Sequence, residues 1–198
     1  MEKAEFFAGA AEAAVGKAML LGAQLAEAYI SSSKELNIEV REGRVETMKL
    51  AEDRGLGLRV IREGRTGFSF STDLSPSGIE EAARQALANC ANTEEDPYHR
   101  LPPPGPSYPE LDIFDPGIRE ATVEQKIEMA KSMEEAARAY DPRVKIIESS
   151  SYQDGESLVT VFNSLGMQLS YRGAYCGIYM ALAAGEGDDS QTGFALDF

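Results

Sequence analysis

Side chains able to run a hydrolytic reaction are scarce in this sequence. It has one histidine, His99, two cysteines, Cys90 and Cys176, and no tryptophan. A catalytic zinc takes three protein ligands from His, Asp, Glu or Cys. His99 lies in a proline-rich stretch with no second histidine to share a metal, so an ordinary surface histidine is expected. A Ser-His-Asp triad would need the same histidine, and no nucleophile-elbow motif is present. Cys90 falls on the apolar side of a helical pattern. Cys176 alternates with Ile178, Met180 and Leu182. Both thiols are expected in the core. The chain is thus assigned no catalytic residue, no metal ligand and no cofactor.

Two features could bind rather than react. Arg54, Arg59 and Arg65 form a small basic cluster in an acidic chain. Guanidinium groups grip a carboxylate by paired hydrogen bonds, so a peptide carboxylate is one partner and the local Glu52 and Glu63 are the other. Gly55-Leu56-Gly57 lacks the full spacing of a dinucleotide loop and opens a strand rather than a helix. Glycines there permit close backbone approach or a bulge.

The elements around these residues follow from periodicity. Residues 4–28 are rich in Ala, Glu and Leu and predict a helix, weakened by Gly9, Gly16 and Gly22. Leu36, Ile38 and Val40 alternate with polar residues, which predicts a half-buried strand. Glu42-Gly43 turns it, and Val45 to Ala51 returns. The device repeats: Leu56 to Ile61, a turn at Glu63-Gly64, then Thr66 to Ser71. Arg41-Glu42-Gly43-Arg44 recurs as Arg62-Glu63-Gly64-Arg65, so successive hairpins of one antiparallel meander are expected. A helix then starts at Ser75 or Ser77, with Glu80 able to close a capping box on Ser77.

Seven of the nine prolines lie between Pro97 and Pro116, which marks residues 92–121 as a linker. Thr122 and Gln125 then cap a second helix, which ends at Asp141-Pro142. Strands are expected at 144–152 and 157–162 with a turn at Asp154-Gly155, at 167–171, and at 175–184. A turn at 185–189 leads into a strand from Gln191 that breaks off unfinished. The expected fold is α+β: a helix-flanked antiparallel meander in 1–91, the linker, and a second helix with antiparallel sheet in 122–198.

Charge narrows the function classes. With 33 acidic and 19 basic side chains the formal charge is -14. That balance disfavours a nucleic-acid backbone and an anionic membrane surface. No apolar run approaches a membrane span. The start Met1-Glu2-Lys3 lacks a basic signal-peptide region, and two cysteines make no disulfide framework. A reduced, cytoplasmic protein is expected.

The segment Glu52-Asp53-Arg54-Gly55-Leu56-Gly57-Leu58-Arg59-Val60, followed by Gly64-Arg65-Thr66-Gly67-Phe68, resembles the first domain of the TldD/PmbA family. Glu39 to Glu46 matches as well. Asn163-Ser164-Leu165-Gly166, Tyr171-Arg172, Tyr175-Cys176 and Gln191-Thr192-Gly193 resemble its middle domain. The resemblance runs from about residue 20 to the end.

The resemblance implies a metalloprotease system acting on short or unfolded peptides, whose members are also labelled modulators of DNA gyrase. It places zinc on a His-Glu-x-x-x-His helix of TldD-type subunits, outside the residues seen here. It therefore implies an N-terminal part that handles peptide and dimerises, with itself or with a TldD-type subunit. Arg54, Gly55, Gly57, Arg65, Gly67, Tyr171 and Arg172 are its candidate substrate-binding residues. Sheet edges could bind peptide as an added strand, or be paired with another subunit or a further domain. The alternative is a non-enzymatic interaction module, for instance a modulator of DNA gyrase. Inactivity of the chain alone is expected.

Overall fold

The structure, a computed structural model, describes residues 2–186 and 189–198. Helix α1 (Glu2–Leu20) opens the chain. The amide of Ala23 bonds the Ala18 carbonyl at 3.0 Å and that of Gly22 bonds Met19 at 3.1 Å. Gly22 sits at φ +103°. This is a Schellman stop, which needs a residue that tolerates left-handed backbone. The helix expected to reach residue 28 therefore ends here, and Leu25 to Ala28 are already strand.

Strand β1 (Leu25–Arg41) and β2 (Arg44–Arg62) form one long hairpin, and β3 (Arg65–Ser71) pairs antiparallel to β2. Val45 to Ala51 and Leu56 to Ile61, expected as separate strands, are one continuous strand. Helix α2 (Pro76–Cys90) is capped by Ser75, which accepts from the Gly78 amide at 3.2 Å. Glu80 closes no box on Ser77; it pairs with Lys17 of α1 and with Arg84. These two cations hold its carboxyl down to about 2.

The Pro-rich stretch contains a short helix, α3 (Pro116–Glu120). Helix α4 (Val123–Tyr140) has the expected reciprocal box between Thr122 and Gln125. Strand β4 (Val144–Asn163) runs straight through Asp154-Gly155, where a turn was expected. Asp154 bonds Tyr152 in the same strand instead of turning the chain. Strand β5 (Gln168–Glu186) likewise joins two expected strands, and β6 (Asp189–Asp197) pairs antiparallel to it. The turn expected at 185–189 includes residues 187 and 188, which lie outside the described residues. The strand order is β3-β2-β1-β4-β5-β6, an α+β fold.

Two compact units emerge, and neither is a single chain segment. The first combines residues 1–32, 53–112 and 157–172; the second combines 33–52, 113–156 and 173–198. In the first, Ala26, Ala28 and Ile30 of β1 and Leu56, Leu58 and Val60 of β2 share a core with α1 and α2. Full burial of a side chain such as Ile30 contributes about 1.5–3 kcal/mol. In the second, Leu36, Ile38, Val40 and Tyr152 pack with Ala130 of α4.

Candidate functional site

In the first unit the core takes alternate residues of β2, which turns Gly55, Gly57 and Arg59 to the opposite face. Register places Gly57 opposite Phe70 and Arg59 opposite Phe68. A Cβ on Gly57 would lie 3.2 Å from the Phe68 ring and 3.9 Å from the Tyr29 carbonyl. Glycine thus lets an aromatic ring lie flat across the strand. Phe68 and Phe70 stay exposed, Phe70 at 80%.

Tyr29 extends this surface beside Tyr171; burial first, and then that neighbour, raise its pKa. Arg59 pairs with Glu27 at 2.8 Å, and its Nε is buried without a hydrogen-bond partner. Gly57, Tyr171 and the aromatic residues therefore share one surface. Tyr29, Phe68 and Phe70 were absent from the sequence-based set. Alternation in β1 and β3 was the signal for them, obscured at Tyr29 by the overlong helix expected before it.

The other expected binding residues are placed differently. Arg54 is exposed on β2 and helps lower the pKa of Asp73, which is set first by bonds from Ser75. Gly55 lies beside the Ser71 carbonyl. Arg65 donates to the Thr93 carbonyl. A Cβ on Gly67 would stand 1.9 Å from the Ala86 carbonyl oxygen and 2.8 Å from Cys90 Sγ, so Gly67 sets the spacing between β3 and α2. Arg172 is exposed on β5. The acidic neighbours named for the arginines choose other partners: Glu52 pairs with Lys34, and Glu63 with Arg62.

His99 is half-buried with Nδ1 2.9 Å from the Gly64 carbonyl. Cys90 is buried, which pushes its thiol pKa up. Cys176 packs against the second core. Among the described residues no three of His, Cys, Asp and Glu converge as metal ligands. No helix among them is long and apolar enough to cross a membrane.

In the second unit β6 is a terminal strand of the sheet, and all nine of its residues are exposed. Phe194 and Leu196 lie on one face, with Phe194 6.4 Å from Tyr179. The same unit holds a cavity of about 390 Å³ bounded by β1, β2, α3, the start of α4 and β4.

Comparison with known proteins gives the same family over both halves. Residues 26–90 match the model of PmbA/TldA metallopeptidase domain 1, and 116–198 that of the PmbA/TldA metallopeptidase central domain. Metalloprotease PmbA of Escherichia coli O157:H7 is 29% identical over 173 residues, which is 86% of this chain and 38% of that protein. A Metalloprotease PmbA homolog of Haemophilus influenzae is 26% identical over 149 residues, 74% of this chain and 33% of its own length. The chain thus spans well under half the length of these relatives.

TldE from Thermococcus kodakarensis shares the fold with a TM-score of 0.85 at 19% identity, covering 95% of this chain and 42% of that one. A Thermotoga maritima protein described as a candidate modulator of a DNA gyrase gives 0.84 at 19%, covering 96% and 42%. Two successive domain models of one family account for most of the sequence, and the chain belongs to the PmbA/TldD family of metallopeptidase-type proteins.

Proposed function

We propose that this chain is the peptide-receiving and dimer-building part of a cytoplasmic PmbA/TldD-type proteolytic system. The observation that carries this reading is the terminal strand β6, exposed at every residue and apolar at Phe194 and Leu196. An exposed sheet edge offers a row of backbone donors and acceptors. An extended peptide can add to it as a further strand, with main-chain bonds giving affinity at low sequence preference. That suits substrates that are short or unfolded. Independently of β6, the aromatic surface of Tyr29, Phe68, Phe70 and Tyr171 in the first unit is a separate candidate for apolar peptide contact, with Arg54, Arg65 and Arg172 as the cationic candidates for a carboxylate.

The described side chains do not fit a catalytic zinc, because no three ligands converge. In this reading a TldD-type domain or partner subunit supplies the metal. The test is a peptide-cleavage assay of this chain, alone and mixed with a TldD-type subunit, using Ala195→Pro and Leu196→Pro. Adjacent β6 residues direct their amides to opposite sides, so one of the two variants removes an outward donor. Peptide turnover only in the mixture, reduced by one of the two prolines, is expected. Turnover by the chain alone, or indifference to both prolines, overturns the reading.

A second reading, a regulator without protease function, draws on the Thermotoga neighbour described as a candidate gyrase modulator. Pull-down separates the two: capture of gyrase without a TldD-type subunit favours the regulator.

A further inference from the structure

The 390 Å³ cavity of the second unit lies within the roughly 300–1,000 Å³ range of small-molecule sites. Its apolar wall comes from Leu36 of β1, Met48 and Leu50 of β2, Ile118 of α3 and Val123 of α4. Helix α4 covers Ile38 and Val40 further along the sheet. Helix α3 is only five residues long, so this end of the sheet face is roofed but not filled.

A buried ion pair lines the same cavity. Lys126 and Asp154 have side chains only 9% and 11% exposed. Buried pairs give little net stability compared with well-packed apolar side chains, and this one, between α4 and β4, leaves its charges available to a ligand. Its bonding capacity is also unspent. Both the Tyr152 hydroxyl and the Lys126 ammonium approach Oδ2 of Asp154. Among the described residues, Oδ1 takes no hydrogen bond. The Lys126 ammonium has three donors and, among the described residues, meets besides Asp154 only the Tyr152 ring 5.8 Å away. A free carboxylate oxygen thus stands beside free ammonium protons.

The charges of the wall, this pair included, cancel. Lys34, Arg119 and Lys126 oppose Asp115, Asp154 and Glu156, three against three. In a chain of net charge -14 this is a locally neutral site. Neither a simple anion nor a simple cation is favoured there; a ligand carrying one of each is.

We propose that this cavity binds a small zwitterion with an apolar body, a free apolar amino acid or dipeptide, held between Asp154 and Lys126. The ligand ammonium meets Asp154 Oδ1 and its carboxylate meets Lys126, while its side chains fill the space among Leu36, Met48 and Ile118. The choice of dipeptides over other zwitterions rests on the peptide-handling reading. In that setting the site holds the small products of peptide cleavage.

The probe is leucyl-phenylalanine, titrated into the 198-residue chain by calorimetry and by amide NMR. Saturable one-to-one binding is expected, with shifts at Ala121, Gly155 and Ala174. N-acetyl-leucyl-phenylalanine amide, which lacks both charges, is expected to bind about tenfold more weakly or worse. Lys126→Met and Asp154→Asn each weaken the dipeptide by a similar factor. Ile118→Trp fills the cavity and abolishes binding, with circular dichroism checking the fold. Should that variant unfold, Met48→Trp tests the same space from an exposed strand position and adds the chain's one tryptophan as a fluorescent reporter.

No dipeptide binding, equal binding of the capped peptide, or binding that survives a filled cavity in a folded variant overturns the proposal. None of these readouts involves cleavage or β6, so their failure leaves the strand-addition reading standing. Failure of the proline test leaves the cavity result standing.

Discussion

The two Arg-Glu-Gly-Arg turns share four residues and one backbone shape, yet they are held by different chemistry. Glu42 and Gly43 sit at φ 52° and 69°, Glu63 and Gly64 at 54° and 71°. Both are two-residue hairpins of the kind that requires positive φ at each central position. The first turn is clamped by a charge. Glu134 of α4, 3% exposed, accepts from the amides of Glu42 at 3.0 Å and Gly43 at 3.2 Å, and Arg138 completes its shell. The second turn is held by neutral groups. Gln24 accepts from the Glu63 amide at 2.8 Å, the Asp96 amide donates to the Gly64 carbonyl at 2.8 Å, and His99 approaches the same oxygen. A turn motif therefore dictates its own conformation but not what fastens it to the rest of the molecule.

The largest break in the comparison is Glu134→Ala. It leaves Arg138 without its partner and two turn amides without an acceptor, and is expected to cost about 3 kcal/mol in urea unfolding. Glu134→Gln keeps an acceptor and should cost less. Acid sharpens the same contrast. Burial pushes the Glu134 carboxyl up, but bonds from the Gly43 amide, Arg138 and the Glu42 amide outweigh it, so its pKa is lowered. A carboxyl lowered in the folded state contributes stability that is present above its unfolded value of about 4.3 and is lost as pH falls through the folded value. Below about pH 4.5 the wild type should therefore lose stability more steeply than Glu134→Gln.

Gln24→Ala is the matched break in the second turn. It removes one neutral hydrogen bond and is expected to cost about 1 kcal/mol, without altering the acid profile. The smallest effect tests what the turns share. Glu42→Asn and Glu63→Asn replace a side chain strained at positive φ by one that tolerates it. Each should raise stability by about 0.5 kcal/mol, and by similar amounts, because the backbone strain is the same in both.

Local signals carried much of the fold. The Thr122–Gln125 box, a serine cap for α2, both turns and the alternation in β1 act over a few residues, so they were legible in sequence. Strand length was not. Asp154-Gly155 has turn composition, yet Asp154 is buried against Lys126 and Tyr152. The break expected between Ala51 and Leu56 likewise disappears into one 19-residue strand. The candidate site divided along the same line. Gly55, Gly57 and the arginines were visible as a motif. Gly67 proved to be a helix-packing position, and Tyr29 came into the surface where β1 lies beside Gly57 of β2.

By itself, then, the sequence determined the α+β class, the two Glu-Gly hairpin turns, the Thr122–Gln125 box and the family resemblance. These depend on residue type and short spacing. Tertiary structure alone decided that β1 lies beside β4 and that Glu134 reaches a turn 92 positions away. It alone placed Lys126 and Asp154 in one cavity wall. Such partners are chosen by burial, where an unpaired polar group is costly, and burial is settled only when distant segments pack.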